Sequence, residues 1–261
     1  MRILFVADLV GKPGRRAAQA LLPNFREQQA VDVVVANGEN LAAGFGVTTS
    51  TVSDLFNLGV DVVTSGNHIW DRPDGVELLE SEPRLLRPAN YPPDNPGSGA
   101  HVVECGSSRI AVVNLQGRVF MPTIDDPFRV GRALVDELRA ETNIIVIDFH
   151  AEATAEKLAF ARYMDGLVSA IVGTHTHVPT ADAQILPGGT AYVTDLGMTG
   201  AHGGVIGYRA EQAIKRAALG RRVRLEPADS DLRLQGAIVE VDQASGHATH
   251  IERIDLVYKE E

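Results

Sequence analysis

The sequence predicts an α/β protein built as a two-sheet sandwich, and three observations lead there. The early segments alternate strand, helix, strand, helix, strand, which implies a parallel or mixed sheet covered by helices. Later segments pair around the turn Gly106-Ser107-Ser108 and around residues 242–248, which calls for antiparallel strands in a second sheet or at an edge. Several apolar runs also stop on a polar residue of ligand type, as strands do when they open onto a shared site.

Residues 2–7 hold Ile3, Phe5 and Val6 and read as a buried strand ended by Asp8. Residues 9–14 carry two glycines and a proline and read as a loop. Residues 15–29 read as a helix through Ala17, Ala20, Leu21 and Phe25, with Pro23 expected to break or kink it. The next strand, 31–36, closes on Asn37-Gly38-Glu39-Asn40, and a loop over 41–47 follows. Thr49 or Ser50 can cap a helix reaching Leu58. Residues 60–63 form a third strand, ended by Thr64-Ser65-Gly66-Asn67-His68, and a short helix spans 73–79.

Residues 83–100, rich in Pro, Asn and Gly, read as irregular surface, and 102–105 with 109–115 as a hairpin. A loop over 116–127 leads to a helix over 129–140. Residues 144–149 are a strand delivering His150, 155–164 a helix, and 167–172 the strand that precedes His175 and His177. Short strands at 183–186 and 191–194 flank the turn Pro187-Gly188-Gly189. A helix over 209–219 is expected to turn Ala213, Ile214 and Ala217 inward, and 232–241 pairs with 249–258 as a terminal antiparallel unit. No repeat, low-complexity tract or linker divides the chain, so residues 1–261 read as a single domain.

The chain has 261 residues, 44% hydrophobic and 22% charged, with a net charge of −10. That balance opposes binding to long nucleic acid or an anionic membrane, both of which select basic patches. It permits a small phosphorylated substrate, because a bound cation reverses the local sign. Cys105 is the single cysteine, so no intrachain disulfide forms. It reads as a small core residue. The apolar start is interrupted by Asp8, short of a signal core, and no run nears the roughly 18 apolar residues of a membrane span. A cytoplasmic protein is expected, and a homo-oligomer stays open.

The stretch Gly173-Thr174-His175-Thr176-His177 organises the rest. Two histidines at i and i+2 share one face of an extended segment and can address one ion. Five strand ends then supply Asp8; Glu39 and Asn40; Asn67 and His68; His150; and His175 with His177. Two carboxylates, two amides and several histidines exceed the needs of one tetrahedral zinc. The set suits two divalent cations bridged by a carboxylate, and its N and O donors favour iron, manganese or zinc. His101, His202, His247 and His250 fall outside the pattern. The clusters Arg15-Arg16, Lys215-Arg216 and Arg221-Arg222-Arg224 read as solvated faces.

These motifs resemble those of calcineurin-like metallophosphoesterases, and more narrowly of their YmdB-like branch. Gly66-Asn67-His68 and Gly173 through His177 are similar to the GNH and GHxH motifs. The match extends through Asp8-Leu9-Val10-Gly11, Asn37-Gly38-Glu39-Asn40, residues 64–71, His150-Ala151-Glu152-Ala153-Thr154 and residues 173–181. Val10 stands where the wider superfamily has a ligand histidine, and Glu39 stands where it has a bridging aspartate. Asn40 is the natural replacement. The resemblance implies a four-layer α/β/β/α fold and two metal ions per chain, iron or manganese first. Asp8, Glu39, Asn40 and His177 would hold one ion; Glu39, Asn67, His150 and His175 would hold the other. It implies a phosphodiesterase for 2′,3′-cyclic nucleotides or related small phosphate esters. In the mechanism expected, a hydroxide shared by the metals attacks phosphorus and His68, beside the ions, is the general acid. Loops at 41–47, 69–75, 118–127 and 197–207 are expected to shape the pocket. Two alternatives stand beside it: a metal-bound regulatory scaffold with weak or vestigial hydrolysis, and a single-metal amide hydrolase, which leaves Asn40 and Asn67 without a purpose.

Overall fold

Apolar alternation along the strands sets the layers in this computed structural model, which describes residues 1–259. The elements run β1 (Arg2–Val6), β2 (Asp8–Leu9), α1 (Gly11–Gln28), β3 (Val33–Asn37), α2 (Thr49–Asn57), β4 (Val62–Thr64) and α3 (Pro73–Ser81). They continue with β5 (Ala100–Cys105), β6 (Ser108–Gln116), α4 (Pro127–Leu138), β7 (Ile144–His150), α5 (Thr154–Met164) and β8 (Ala170–Thr174). The last are β9 (Gln184–Ile185), β10 (Ala191–Val193), β11 (Met198–Ala201), α6 (Ala210–Leu219), β12 (Leu232–Val241) and β13 (Ala248–Val257).

One sheet runs β2-β11-β12-β1-β3-β4, with β13 paired on β12; the other runs β5-β6-β7-β8-β10-β9. β1, β3 and β4 are parallel, as are β6, β7, β8 and β10. Ile3, Phe5, Val33 and Val35 face Val112, Val146, Val172 and Val193 across the inter-sheet core. The alternate residues Leu4, Val6, Val34 and Ala36 meet Ala18, Leu22, Val52 and Leu55 of the helices. Val113, Ile145 and Ile147 do the same for Val135, Phe160 and Met164. The result is the expected α/β/β/α sandwich, with the carboxyl ends of the parallel strands on one edge. Among the described residues, no helix is long and apolar enough to cross a membrane.

Several local expectations change. α1 starts at Gly11 rather than Arg15, and Gly11 takes φ +59. Pro23 does not end the helix and lies on its exposed face. Thr48, not Thr49 or Ser50, caps α2, in a reciprocal capping box with Thr51. Residues 83–100 are not all surface: Leu85 and Leu86 are fully buried and bridge to Val63 and Ser98. α6 buries no side chain, and Ile214 is 62% exposed, so its apolar positions do not face a core. α6 lies instead against cavities, which Ala213, Arg216 and Ala217 help to line.

Candidate metal centre

Each expected ligand sits where a buried strand gives way to a loop. Asp8 begins β2 immediately after β1, and Glu39 and Asn40 follow β3. Asn67 opens a 3-10 turn over Asn67–Asp71 after β4, His150 ends β7, and His175 and His177 follow β8. Asp8, Glu39, Asn40 and His150 are 0–2% exposed. Donor atoms of Glu39, His150 and His175 lie within 4.8 Å of one another. His150 Nε2 is 3.2 Å from Glu39 Oε1 and 3.0 Å from His175 Nδ1. Asp8 Oδ1 lies 3.9 Å from His150 Nδ1 and 3.7 Å from His177 Nε2. The backbone N–H of His175 donates to Asp8 Oδ2 at 3.3 Å.

The two histidines do not reach the site from an extended segment. His175 takes φ +99 and His177 φ +63, in the region that side-chain-bearing residues rarely adopt. This left-handed turn places His175 beside His150 and His177 beside Asp8. Strain of that kind costs roughly 1–3 kcal/mol per residue and persists where the surroundings impose it. Here the surroundings include the buried Lys157–Asp195 pair at 2.7 Å. Lys157 Nζ donates to the carbonyl of Thr174 at 2.8 Å, and Asp195 Oδ2 accepts from the N–H of Thr176 at 3.2 Å. His177 Nδ1 donates to the carbonyl of Ile206 at 3.0 Å, which leaves Nε2 for the pocket.

His150 is fixed by a relay. The Thr174 hydroxyl donates to Asp148 Oδ1 at 2.7 Å, so Thr174 Oγ1 accepts from His150 Nδ1 at 2.8 Å. Asn37 Nδ2 and the Thr64 hydroxyl donate to Asp148 Oδ2. That arrangement directs His150 Nε2 into the pocket. Burial pushes the Asp148 carboxyl up to about 6 despite these donors and the nearby His150. Burial also pushes Asp8 up, but the imidazoles of His177 and His150 outweigh it and hold the carboxyl at about 2. For His177, burial opposes charging and Asp8 wins, raising it to about 9. Burial and the neighbouring His150 depress His175 to about 3. His150 itself is raised: burial opposes this, and Glu39 and Asp8 prevail.

The residues fit a metal. Asp8 Oδ1, Asn40 Oδ1 and Asn67 Oδ1 are buried oxygens without a hydrogen-bond partner. A buried acceptor left unpaired costs about 1–3 kcal/mol, and a cation that takes up these lone pairs would remove that cost. Asn40 Nδ2 is already committed to the carbonyl of Gly44 at 2.9 Å, which fixes Oδ1 as its free atom. Gly66 lets the ligands close in: a Cβ there would sit 2.1 Å from His150 Cδ2 and 2.4 Å from Glu39 Oε2.

A family model described as "YmdB-like protein" matches residues 4–254. The chain belongs to the YmdB-like family. It is 45% identical, over 254 residues, to the 2′,3′-cyclic-nucleotide 2′-phosphodiesterase of Bacillus subtilis, covering 97% of this chain and 96% of that protein. A crystal structure of a hypothetical protein from Thermus thermophilus superposes with a TM-score of 0.93 at 41% identity, covering 99% of this chain and all of that one. A novel phosphatase from Mycoplasma pneumoniae gives 0.92 at 34% identity, covering 98% and 93%.

In this YmdB-like chain a cavity of about 350 Å³ is lined by Glu39, Asn40, His175 and His177, and Phe45, Glu152, Ile206, Tyr208, Arg216 and Leu225 complete its wall. Phe45 and Ile206 come from two of the four loops expected to shape it. Arg72 of the 69–75 loop lines an adjoining cavity, and residues 118–127 line neither of these two. Lys215 and Arg216 are exposed, as a solvated face requires, and Arg216 also lines this cavity. His68, on the rim, holds Asp71 Oδ2 at 2.8 Å through Nδ1 and meets Phe45 edge-on at 5.0 Å. Asp71 was not singled out by the sequence, although its i+3 spacing from His68 in a tight turn is such a signal. Glu152 Oε2 lies 3.1 Å from His175 Nε2.

Proposed function

We propose that the chain is a metal-dependent phosphodiesterase that opens nucleoside 2′,3′-cyclic phosphates. The observation that carries this reading is the cluster of Glu39, His150 and His175 donors, together with buried oxygens of Asp8, Asn40 and Asn67 that have no hydrogen-bond partner among the described residues. Asp8, Glu39, Asn40 and His177 would hold one divalent cation; Glu39, Asn67, His150 and His175 would hold a second. Donors of N and O without thiolate suit iron or manganese. Bound there, the cations would lower the pKa of a water toward ~7 and offset charge on the phosphoryl oxygens.

The chain's own groups supply the rest. The water loses a proton to solvent as its oxygen bonds to phosphorus, the P–O2′ bond breaks, and His68 gives a proton to the departing O2′, leaving a nucleoside 3′-phosphate. His68 suits that role because the Asp71 carboxylate on Nδ1 would support an imidazolium, whose Nε2–H is then the proton given up. The half-buried Phe45 and buried Tyr208, stacked with centroids 5.6 Å apart, form an apolar wall that limits water at the reacting edge.

The test is hydrolysis of adenosine 2′,3′-cyclic phosphate by protein with measured metal content. Wild type should form adenosine 3′-phosphate, and Glu39→Ala and His150→Ala should lose both metal and turnover. Full turnover by either variant after its metal is gone contradicts the reading.

A further inference from the structure

Beside the metal pocket lies a second cavity of about 550 Å³, within the ~300–1,000 Å³ range of ligand sites. The two share Phe45, His68, Arg216 and Leu225 as walls, so a ligand seated at the metals can continue into it. Its charged lining is Arg72, Arg216, Arg222 and Arg224 against Asp71 and Glu226. Asp71 is engaged by His68, and Glu226 by Gln212 Nε2 at 3.3 Å. Arg72 is engaged by the carbonyls of Phe45 and Ala42. Among the described residues, the guanidinium groups of Arg216, Arg222 and Arg224 have neither hydrogen bond nor ion pair. Gly220, left-handed at φ +58, ends α6 and turns the chain so that residues 222–227 line the same cavity as Arg216.

Three free guanidinium groups around one cavity are unexpected in a chain of net charge −10. They repel one another, and they focus a positive field on the mouth of a site whose own phosphate goes to the metals. A cyclic mononucleotide has no second anionic group to meet them. Arginine is suited to phosphate through its planar, forked donors.

We propose that this cavity is a subsite for a second phosphate on the 5′ side of the nucleoside 2′,3′-cyclic phosphate. Its source is a 5′-phosphorylated nucleotide or the 3′ end of a short oligoribonucleotide. The proposal rests on the phosphodiesterase reading above. A reaction that leaves 2′,3′-cyclic phosphates on ribonucleotide ends, such as cleavage of RNA by its own 2′-hydroxyl, is the class that would supply this substrate.

The experiment compares three substrates at fixed ionic strength: adenosine 2′,3′-cyclic phosphate, its 5′-phosphorylated form, and the diadenosine dinucleotide ending in the cyclic phosphate. Wild type should favour at least one phosphate-bearing form over the first by about tenfold in kcat/KM, mainly through KM. A gain for the 5′-phosphorylated form alone assigns the free nucleotide, and a gain for the dinucleotide assigns the RNA end. In Arg222→Ala/Arg224→Ala the ratio should fall to within twofold of one. Equilibrium binding of adenosine 3′,5′-bisphosphate against adenosine 3′-phosphate should lose its preference in the same variant. A wild-type ratio near one, or a ratio that survives in the double variant, overturns the subsite. Failure to hydrolyse any of the three sinks the reaction itself.

Discussion

Replacing Lys157 by Met should be among the most damaging single changes away from the metal ligands. Lys157 and Asp195 are each 1% exposed and 2.7 Å apart. The methionine fills the lysine's space but leaves Asp195 as a buried carboxylate supported, among the described residues, by the N–H groups of Thr176 and Gly197 alone. Removing one partner of a buried pair costs roughly 3–5 kcal/mol. At about 2–4 °C per kcal/mol for a chain of this size, the midpoint should drop by roughly 6–20 °C. The loss also frees the carbonyl of Thr174, which Lys157 holds at the root of the histidine turn. Urea unfolding at constant metal content measures the cost. Adding Asp195→Asn should recover part of it, because the stranded charge is gone, although the amide oxygen accepts from only one of the two N–H groups, which reach different carboxylate oxygens. A single variant within about 1 kcal/mol of wild type, or a double variant no better than the single, refutes this account of the turn.

Three further outcomes follow from the site. Gly66→Ala should empty the pocket of metal with the far-ultraviolet spectrum retained, because its Cβ would collide with His150 and Glu39; full metal content by elemental analysis contradicts that. His68→Ala should lower turnover by roughly 10²–10⁴-fold for an alkoxide leaving group and far less for p-nitrophenolate; equal losses on both would remove the proton-donor role. Metal uptake near pH 7 should release protons, since His177 is raised to about 9 and must give up its proton to bind. Affinity should therefore climb as pH rises toward 9, and heats of binding should depend on the buffer's ionisation enthalpy. Buffer-independent heats would contradict it.

The site was legible where strand burial and chemistry coincide. An apolar run such as Ile144 to Phe149 closing on His150 carries its meaning in the residues, and β1, β3, β4 and β8 do likewise. The sandwich follows from the same alternation, because Ile3 and Phe5 face one layer while Leu4 and Val6 face another. What stayed hidden depends on tertiary context. The left-handed conformations of His175 and His177 are held by partners as distant in the chain as Lys157 and Ile206; histidine adopts such angles more often than most side chains, but its type does not require them. α6 has a helical apolar pattern, but it buries no side chain. Arg216, Arg222 and Arg224 resemble any basic surface cluster until α6 and Gly220 bring them to one cavity. Asp148 was the overlooked signal: a carboxylate inside an otherwise apolar strand needs donors, and Thr64, Thr174 and Asn37 are those donors.

The most direct measurement is anomalous diffraction, at the iron and manganese edges, from protein purified without oxygen. Two peaks per chain are predicted, one beside Asp8, Asn40 and His177, the other beside Asn67, His150 and His175, with Glu39 touching both. A single peak, or none within reach of Asp8 Oδ1, Asn40 Oδ1 and Asn67 Oδ1, would contradict the account.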